Sequence, residues 1–203
     1  MFGKIGRITP ASSGSNALRG DQLGGLIFSG GDYEDTTLGG KMFFGYSAGQ
    51  NVALFSATAA IGLIIVNPLT SGVNMVIYKW AAQIWATSAT MTGLVLAVST
   101  NPLGVTTYAA ATLSGRTLIA GSSGLPSGGC YACISATVVA PVIVWPLMHN
   151  TAAINTVGAE VIGGDLQGSF AFAPGTAAVF GALGAAGVTV NLAATWKEVP
   201  VGL

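Results

Sequence analysis

Residues 167–200 read QGSFAFAPGTAAVFGALGAAGVTVNLAATWKEVP, and this stretch decides the fold class. Phe170 and Phe172 alternate with small residues ahead of Pro174-Gly175, a pair that favours a turn. Alternation with a period of two is the pattern of a strand with one buried face. It therefore predicts strands joined by tight turns. In the last strand one face collects Val188, Val190, Leu192, Ala194 and Trp196.

Strand-like runs separated by Gly, Pro, Asn and Ser continue this pattern back to Met42. Gly49-Gln50 is predicted to form a two-residue hairpin loop, and residues 68–72 a turn. Pro141 interrupts the apolar run 132–145, which we expect to bend or to lie at a sheet edge because proline cannot donate to a central ladder. About ten strands at regular spacing are typical of a sandwich or barrel.

Two segments are less regular. In residues 73–82, Val76, Tyr78 and Trp80 alternate with Ile77 and Lys79, which predicts that the first three share one face. Residues 177–190 are rich in Ala and Gly and could instead form a packed helix, but their glycine content argues against it.

Charge divides the chain into two parts. Its 203 residues include seven basic and seven acidic side chains, whereas about 50 charged residues are typical of this length. Residues 1–41 hold eight of these charges, together with Gly and Ser clusters, and are predicted to form an extended N-terminal arm. Residues 42–203 hold the other six and are predicted to form the β-sandwich body.

So low a charge content indicates an assembly, because little repels one copy of the chain from another. We expect a homo-oligomer whose faces are covered; a monomer kept soluble by Ser, Thr, Asn and Gln is the alternative. A net charge of zero attracts neither nucleic acid nor anionic lipid, so neither is an expected partner.

A membrane span is not expected either. The most apolar stretch, residues 52–66, is shorter than the about 20 residues that a spanning helix needs, and it lacks flanking Lys or Arg. The N-terminus, MFGKIGRITPASSG, has no apolar run of the secretory type, so we expect synthesis in a cytoplasm.

Cys130 and Cys133 have the Cys-x-x-Cys spacing of redox centres and of half a zinc site. The chain has no further cysteine, and it has one histidine, His149. The pair follows a Gly/Ser loop and enters a β-like run, whereas a redox pair would open a helix. We expect two half-buried structural thiols, with a bound metal as the alternative.

His149 is the sole candidate for a neutral-pH general base, but no nucleophile motif accompanies it.

The acidic residues indicate no chemistry. Glycoside hydrolysis needs two carboxyls flanking a cleft, and the body offers Glu160, Asp165 and Glu198. Asp165 follows a Gly-Gly pair, which is common turn chemistry. We expect a solvated loop, with a cation site or an ion pair between subunits as alternatives, for the arm cluster Asp32, Tyr33, Glu34 and Asp35. The sequence thus predicts no enzyme and no catalytic, cofactor-binding or metal-binding residue.

The four tryptophans allow two interpretations. Aromatic rings can form a sugar-binding platform, but packing in a core or a subunit interface is their more frequent role, and we expect that role here. They are Trp80, Trp85, Trp145 and Trp196.

Two stretches resemble small virion proteins of tailed bacteriophages. Residues 164–180 and 187–199 are similar to an ending with a Gly-Ser strand, a Pro-Gly turn, an Ala/Gly-rich strand and a last strand closing in Trp-x-Glu-x-Pro, here Trp196 to Pro200. Residues 65–78, IVNPLTSGVNMVIY, resemble the asparagine–proline turn and aliphatic strand of the same proteins.

The resemblance implies a jelly roll or a related antiparallel β-sandwich in a phage particle, made in the host cytoplasm. Such proteins decorate or cement capsids, often as trimers, or belong to tails and collars. We therefore expect a non-catalytic structural protein that packs as a homotrimer against the major capsid protein or other virion subunits. The arm would order on a neighbouring subunit. The alternative is a tail, collar or receptor- and glycan-binding structural module.

Overall fold

The computed structural model describes residues 42–52, 60–87, 91–99, 105–108, 112–113, 116–117, 129–138, 141–149, 161–184 and 188–202. The predicted arm, residues 1–41, lies outside this part of the chain. The described residues form strands and turns, without a helix, so the predicted all-β class is confirmed. The strands are β1 (Met42–Val52), β2 (Ala60–Asn67), β3 (Val73–Thr87), β4 (Met91–Ser99), β5 (Val105–Tyr108), β6 (Thr112–Leu113), β7 (Arg116–Thr117), β8 (Tyr131–Val138), β9 (Val142–His149), β10 (Val161–Phe172), β11 (Thr176–Gly184) and β12 (Val188–Pro200).

The strands form two antiparallel sheets. The five-stranded sheet has the order β10-β3-β12-β1-β7, and the seven-stranded sheet the order β5-β8-β2-β11-β4-β9, with β6 beside β8. The main strand pairs are nested along the chain, so that each pair lies within the previous one in sequence: β1 pairs with β12, β2 with β11, β3 with β10 and β4 with β9. Successive pairs alternate between the two sheets, as in a jelly roll, where one long antiparallel ribbon is rolled up. Strand β8, with the short strands β5 and β6 beside it, extends the larger sheet beyond β2, whereas β7 pairs with β1 in the smaller sheet.

The main core lies between the two sheets. Phe43 and Trp196 are paired neighbours on β1 and β12, their ring centroids are 6.1 Å apart, and both are buried. Of the face predicted for β12, Val190, Leu192, Ala194 and Trp196 are buried as expected, and the side chain of Val188 lies outside the described part. Each large side chain removed from water contributes about 1.5–3 kcal/mol. The seven-stranded sheet adds Leu63, Ile65, Leu94, Leu96, Ala178 and Phe180 to the same core.

The seven-stranded sheet is apolar on its other face as well. Ile64 alternates with Leu63 and Ile65 along β2, so its side chain points away from the main core. It belongs to a second buried cluster with Val66, Ala97, Cys133, Ala136, Val138, Ala177 and Val179. Strands that are apolar on both faces are typical of sheets that are covered on both sides.

A bulge replaces the hairpin predicted at Gly49-Gln50. β1 runs without interruption from Met42 to Val52 and pairs with β12 along its whole length. Its register shifts between Ser47 and Gln50, which absorbs the extra residue without turning the chain.

The prediction for Pro141 is confirmed, because the apolar run breaks there into β8 and β9, and β9 is the last strand of its sheet.

A second irregularity changes the face of residues in β3. Trp196 pairs with Ile77 while Thr195 pairs with Lys79, so Tyr78 is the extra residue of a bulge. Ile77 and Trp80 consequently both face the core, which simple alternation cannot achieve. The prediction that Val76, Tyr78 and Trp80 share one face was wrong for this reason.

Candidate functional site

The two cysteines do not form a pair. Cys130 belongs to the core between the sheets, and Cys133, the third residue of β8, belongs to the cluster on the opposite face. Both are free thiols and both are buried, more deeply than the half-buried position predicted. Burial and, secondarily, the neighbouring carboxyl of Glu198 raise the pKa of the Cys130 thiol well above its ordinary value. Since the thiolate is the reactive form, Cys130 is suited to packing and not to redox chemistry.

A buried polar cluster surrounds Cys130 at one end of the sandwich. The side-chain Nδ2 of Asn67 donates to the carbonyl oxygens of Val73 and Phe172, both at 2.8 Å. The Cys130 thiol lies 3.4 Å from Oδ1 of Asn67, and its backbone N–H donates to Oε1 of Glu198 at 3.1 Å. These bonds join β2 and the residue just before β8 in one sheet to β3, β10 and β12 in the other. The cluster therefore holds the two sheets together through buried hydrogen bonds, and its role is structural.

The two remaining carboxyls with described side chains, Glu198 and Asp165, do not converge. Glu198 is 4 % exposed on the inner face of β12, whereas Asp165 is exposed on β10. His149 is the last residue of β9, in the other sheet. Glu160 and the arm cluster of Asp32, Tyr33, Glu34 and Asp35 lie outside the described residues. Within the described ranges, no three His, Cys, Asp or Glu side chains are grouped as metal ligands.

The three tryptophans whose side chains the structure describes do not form a platform. Trp80 and Trp196 are buried in the core, as expected. Trp145 is 48 % exposed on β9, and its ring packs against Phe170 of β10 at a centroid distance of 5.7 Å. That contact joins the edge strands of the two sheets. The side chain of Trp85 lies outside the described part of the structure.

Charge is distributed unequally between the sheets. The strands of the seven-stranded sheet contain no Asp, Glu, Lys or Arg within their described lengths. The charges in described strands all belong to the five-stranded sheet, where they are Lys79, Arg116, Asp165, Lys197 and Glu198. The sandwich thus has one charge-free sheet and one polar sheet.

Three polar residues and an aromatic ring lie in one row across the polar sheet. Asp165 is opposite Lys79, Lys79 is opposite Thr195, and Thr195 is opposite Phe44. The backbone N–H of Lys79 donates to Oγ1 of Thr195 at 3.2 Å. Because Trp80 and Ala194 face the core, this row lies on the outer face of the sheet.

The next row on the same face consists of small residues. Gly163 is opposite Ala81, Ala81 is opposite Ala193, and Ala193 is opposite Tyr46. Together the two rows line a shallow depression of about 400 Å³, which we call the outer-face depression. It is lined by Lys79, Ala81, Gly163, Asp165, Ala193 and Thr195. Sequence reasoning missed it, since the strand register that brings these residues together is not visible along the chain.

The charge-free sheet ends in an exposed apolar edge. Val142 is 54 % exposed, Ile143 46 % and Trp145 48 %, all on β9, the last strand of its sheet. A strand in that position has backbone donors and acceptors on one side that the sheet itself does not use. We call Val142, Ile143 and Trp145 the β9 edge.

Comparison with protein-family models, curated proteins and solved structures found no match. The site therefore has to be interpreted from its own residues.

Among the described residues, three features are candidates for a function: the buried cluster at Asn67, the outer-face depression and the β9 edge. The first is closed to solvent and structural. The other two are open to solvent, and neither brings together a nucleophile, a base and an oxyanion donor, the minimum for acyl-transfer catalysis. The described residues also include no helix long and apolar enough to cross a membrane.

Proposed function

We propose that this protein is a virion structural protein that stabilises or decorates a bacteriophage capsid by packing as a homo-oligomer, with no catalysis. One observation carries the packing part: a sheet without charge along its described strands ends in the exposed apolar β9 edge. Exposed apolar side chains on an edge strand invite association unless the protein protects them.

The position of proline on β9 favours side-chain packing over strand addition. Pro146 lacks a backbone N–H, so a continuous ladder along this edge would lose a donor in its middle. Val142, Ile143 and Trp145 can instead contact a neighbouring copy through their side chains. A rotationally symmetric oligomer, with a trimer as the expected form, would repeat this contact around one axis.

The virion part of the proposal is supported by the resemblance of residues 164–180 and 187–199 to tailed-phage virion proteins. These residues contribute to β10, β11 and β12, which supply one partner in three of the four nested pairs of the sandwich. Viral capsid proteins are among the known users of this architecture. The proposed partners are further copies of the chain and the major capsid protein or other virion subunits.

Quantitative mass spectrometry of purified phage particles tests the assignment. Hundreds of copies per particle are expected for a capsid protein, whereas a few to a few dozen copies would assign the chain to a tail or collar. Absence from the particle would refute a virion role. Light scattering of the purified full-length protein tests the packing separately, and a monomer at micromolar concentration would contradict it.

A further inference from the structure

We propose that the outer-face depression is a binding site for a neutral saccharide. This function goes beyond subunit packing and does not depend on it. The depression lies on the polar sheet, while the apolar surface proposed for packing is the edge of the other sheet. A single copy can thus use both surfaces.

The second row of the depression carries no large side chain because three adjacent strands place small residues in register. Gly163, Ala81 and Ala193 leave backbone and methyl groups at the bottom. Gly163 has little room for a larger residue, since a Cβ there would lie 2.7 Å from the carbonyl oxygen of Trp80. A volume of about 400 Å³ is at the lower end of the range for ligand pockets and matches one or two sugar rings.

The polar row supplies both hydrogen-bond donors and acceptors. Lys79 has an ammonium group that only donates, and Asp165, directly opposite, has a carboxylate that only accepts. Each sugar hydroxyl both donates and accepts, so vicinal hydroxyls can use the two groups together. The adjacent opposite charges cancel, which favours a neutral ligand over an anion or a cation. Two of the six charges of residues 42–203 are thus placed beside this depression.

Aromatic rings continue both rows on β1. Tyr46 is 46 % exposed next to Ala193, and Phe44 is 37 % exposed next to Thr195. These two residues are separated by one position on the same face of the strand, so they form an aromatic border about 7 Å long. The C–H face of a sugar ring packs on such a border while its hydroxyls face the polar row.

A peptide strand is a poorer occupant than a sugar. β3 and β12 are paired on both sides within the sheet, so their backbone hydrogen-bonding groups are used in the ladders. An added peptide strand would need a free backbone edge, which the floor formed by β3 and β12 does not offer; the nearest edge is that of β10, where a strand would add beside the depression and leave its floor empty.

The backbone next to Asp165 is strained in a way that fixes its carboxylate. Oδ1 of Asp165 accepts a hydrogen bond of 2.7 Å from the backbone N–H of Gln167. Gln167 has a φ of 50°, a left-handed conformation that is unfavourable for a residue with a side chain, and Gly168 follows at 72°. Strain of this kind concentrates at ligand-binding sites, where it preorganises a group.

Binding to an array of neutral mono- and oligosaccharides, followed by NMR titration of the strongest hit, tests the proposal with the full-length protein. We expect weak binding by each site, with a dissociation constant of about 1 mM, because the depression is shallow and open. Repeated copies in an oligomer would strengthen retention on the array.

The variant Ala193→Leu fills the depression and should weaken binding at least tenfold. Ala171→Leu is the matched control, since Ala171 is exposed on β10 opposite Val76, beyond the bulge, and should bind like the wild type. Asp165→Asn provides a second variant if Ala193→Leu fails to fold. Its amide oxygen can still accept from Gln167, but the charge-assisted bond to the sugar is lost, and binding should fall roughly tenfold.

Three results would overturn the proposal. They are the absence of any hit on the array, hits confined to charged glycans, and unchanged affinity in both Ala193→Leu and Asp165→Asn. None of these results bears on the copy number in a particle, so failure of the saccharide site and failure of the virion role can be told apart.

Discussion

Asn67 of β2 and Phe172 of β10 are joined by a 2.8 Å hydrogen bond from the side-chain Nδ2 to the carbonyl oxygen, across the two sheets of the sandwich. The same amide nitrogen also donates to Val73 at the start of β3. Asn67 is fully buried, so water cannot replace these bonds when the side chain is removed. Asn67, the residue before the Pro68 turn, thus holds the two sheets together at this end of the fold.

Replacement of Asn67 by Leu should therefore destabilise the protein strongly. Two buried carbonyl oxygens and the Cys130 thiol would lose their partner, which we expect to lower the free energy of unfolding by about 3 kcal/mol. Urea denaturation at one fixed protein concentration measures this change. Asn74→Leu is the control, because Asn74 is only partly buried, and it should shift the free energy by less than about 0.5 kcal/mol. Equal effects of the two variants would contradict the fastening role.

Ser47 and Ser99, both fully buried, should differ in how truncation to alanine changes the free energy of unfolding. Oγ of Ser47 has no hydrogen-bond partner among the described residues, whereas Ser99 has a polar interaction. Ser47→Ala removes an unpaired buried hydroxyl, so it should leave the free energy of unfolding unchanged or raise it by up to about 1 kcal/mol. Ser99→Ala should lower it by about 1 kcal/mol. The same urea experiment decides, and a clear loss of stability in Ser47→Ala would show that its hydroxyl is paired.

The Cys130 thiol should make the protein less stable at alkaline pH. Its pKa in the folded state is raised, first by burial and then by Glu198, above the ordinary value of 9.0. Below pH 9 both the folded and the unfolded state hold the proton, so the thiol has no effect on the pH dependence there. Above pH 9 the unfolded state loses the proton and the folded state keeps it, so stability falls by up to about 1.4 kcal/mol per pH unit.

Urea denaturation at pH 8, 9, 10 and 10.5 tests this dependence by comparing the wild type with Cys130→Ala. The wild type should lose about 2 kcal/mol more than the variant between pH 9 and 10.5. Other groups titrate in this range in both proteins, so the difference between the two isolates Cys130. Parallel curves would refute the assignment. A thiol reagent at pH 8 should also label Cys130 only after unfolding.

The strand alternation made much of this fold predictable. Val190, Leu192 and Ala194 lie on the buried face of β12 as the pattern indicated, and the break at Pro141 separates two strands. The same alternation, continued by one step, would have placed Glu198 on the buried face with Trp196. The charge of Glu198 argues against that continuation, since a buried carboxyl is rare without a partner.

Bulges and pairing register set the limit of what the sequence could predict. The extra residue at Tyr78 reverses the faces of β3, and nothing in the local sequence marks it. The pairing of Lys79 with Asp165 and Thr195 depends on strands that are distant in the chain, so the outer-face depression was not predictable. Gly49-Gln50 does not form the predicted hairpin because β1 stays paired with β12 on both sides of these residues. The bulge between Ser47 and Gln50 accommodates the extra residue, so pairing with β12 outweighs the local turn preference.

A charge on the β9 edge should disrupt the proposed oligomer. Val142→Glu places a carboxylate where a neighbouring copy would pack, and desolvation of that charge should raise the dissociation constant at least tenfold. Val201→Glu is a matched control, since Val142 and Val201 are 54 % and 55 % exposed. Size-exclusion chromatography with light scattering over a concentration series measures both variants. If Val142→Glu assembles like the wild type, the contact lies elsewhere on the surface.

The close approach of the two sheets at Gly45 should be sensitive to a single methyl group. A Cβ at Gly45 of β1 would lie 2.7 Å from the Cβ of Ala132 on β8, nearer than real side chains come. Gly45→Ala should therefore lower the free energy of unfolding by about 1–3 kcal/mol through overpacking. The two Cβ atoms belong to opposite sheets, so the sheets have to move slightly apart to relieve the contact.

The double variant Gly45→Ala with Ala132→Gly separates overpacking from other effects of the substitution. It moves the methyl group from one sheet to the other, and the 2.7 Å contact disappears. Ala132→Gly alone should cost about 1 kcal/mol, because it adds backbone freedom and removes a buried methyl. If overpacking dominates, the double variant should be more stable than the sum of the two single losses predicts, by at least about 1 kcal/mol in a double-mutant cycle. Strict additivity would mean that Gly45 is required for its backbone and not for the space it leaves to Ala132.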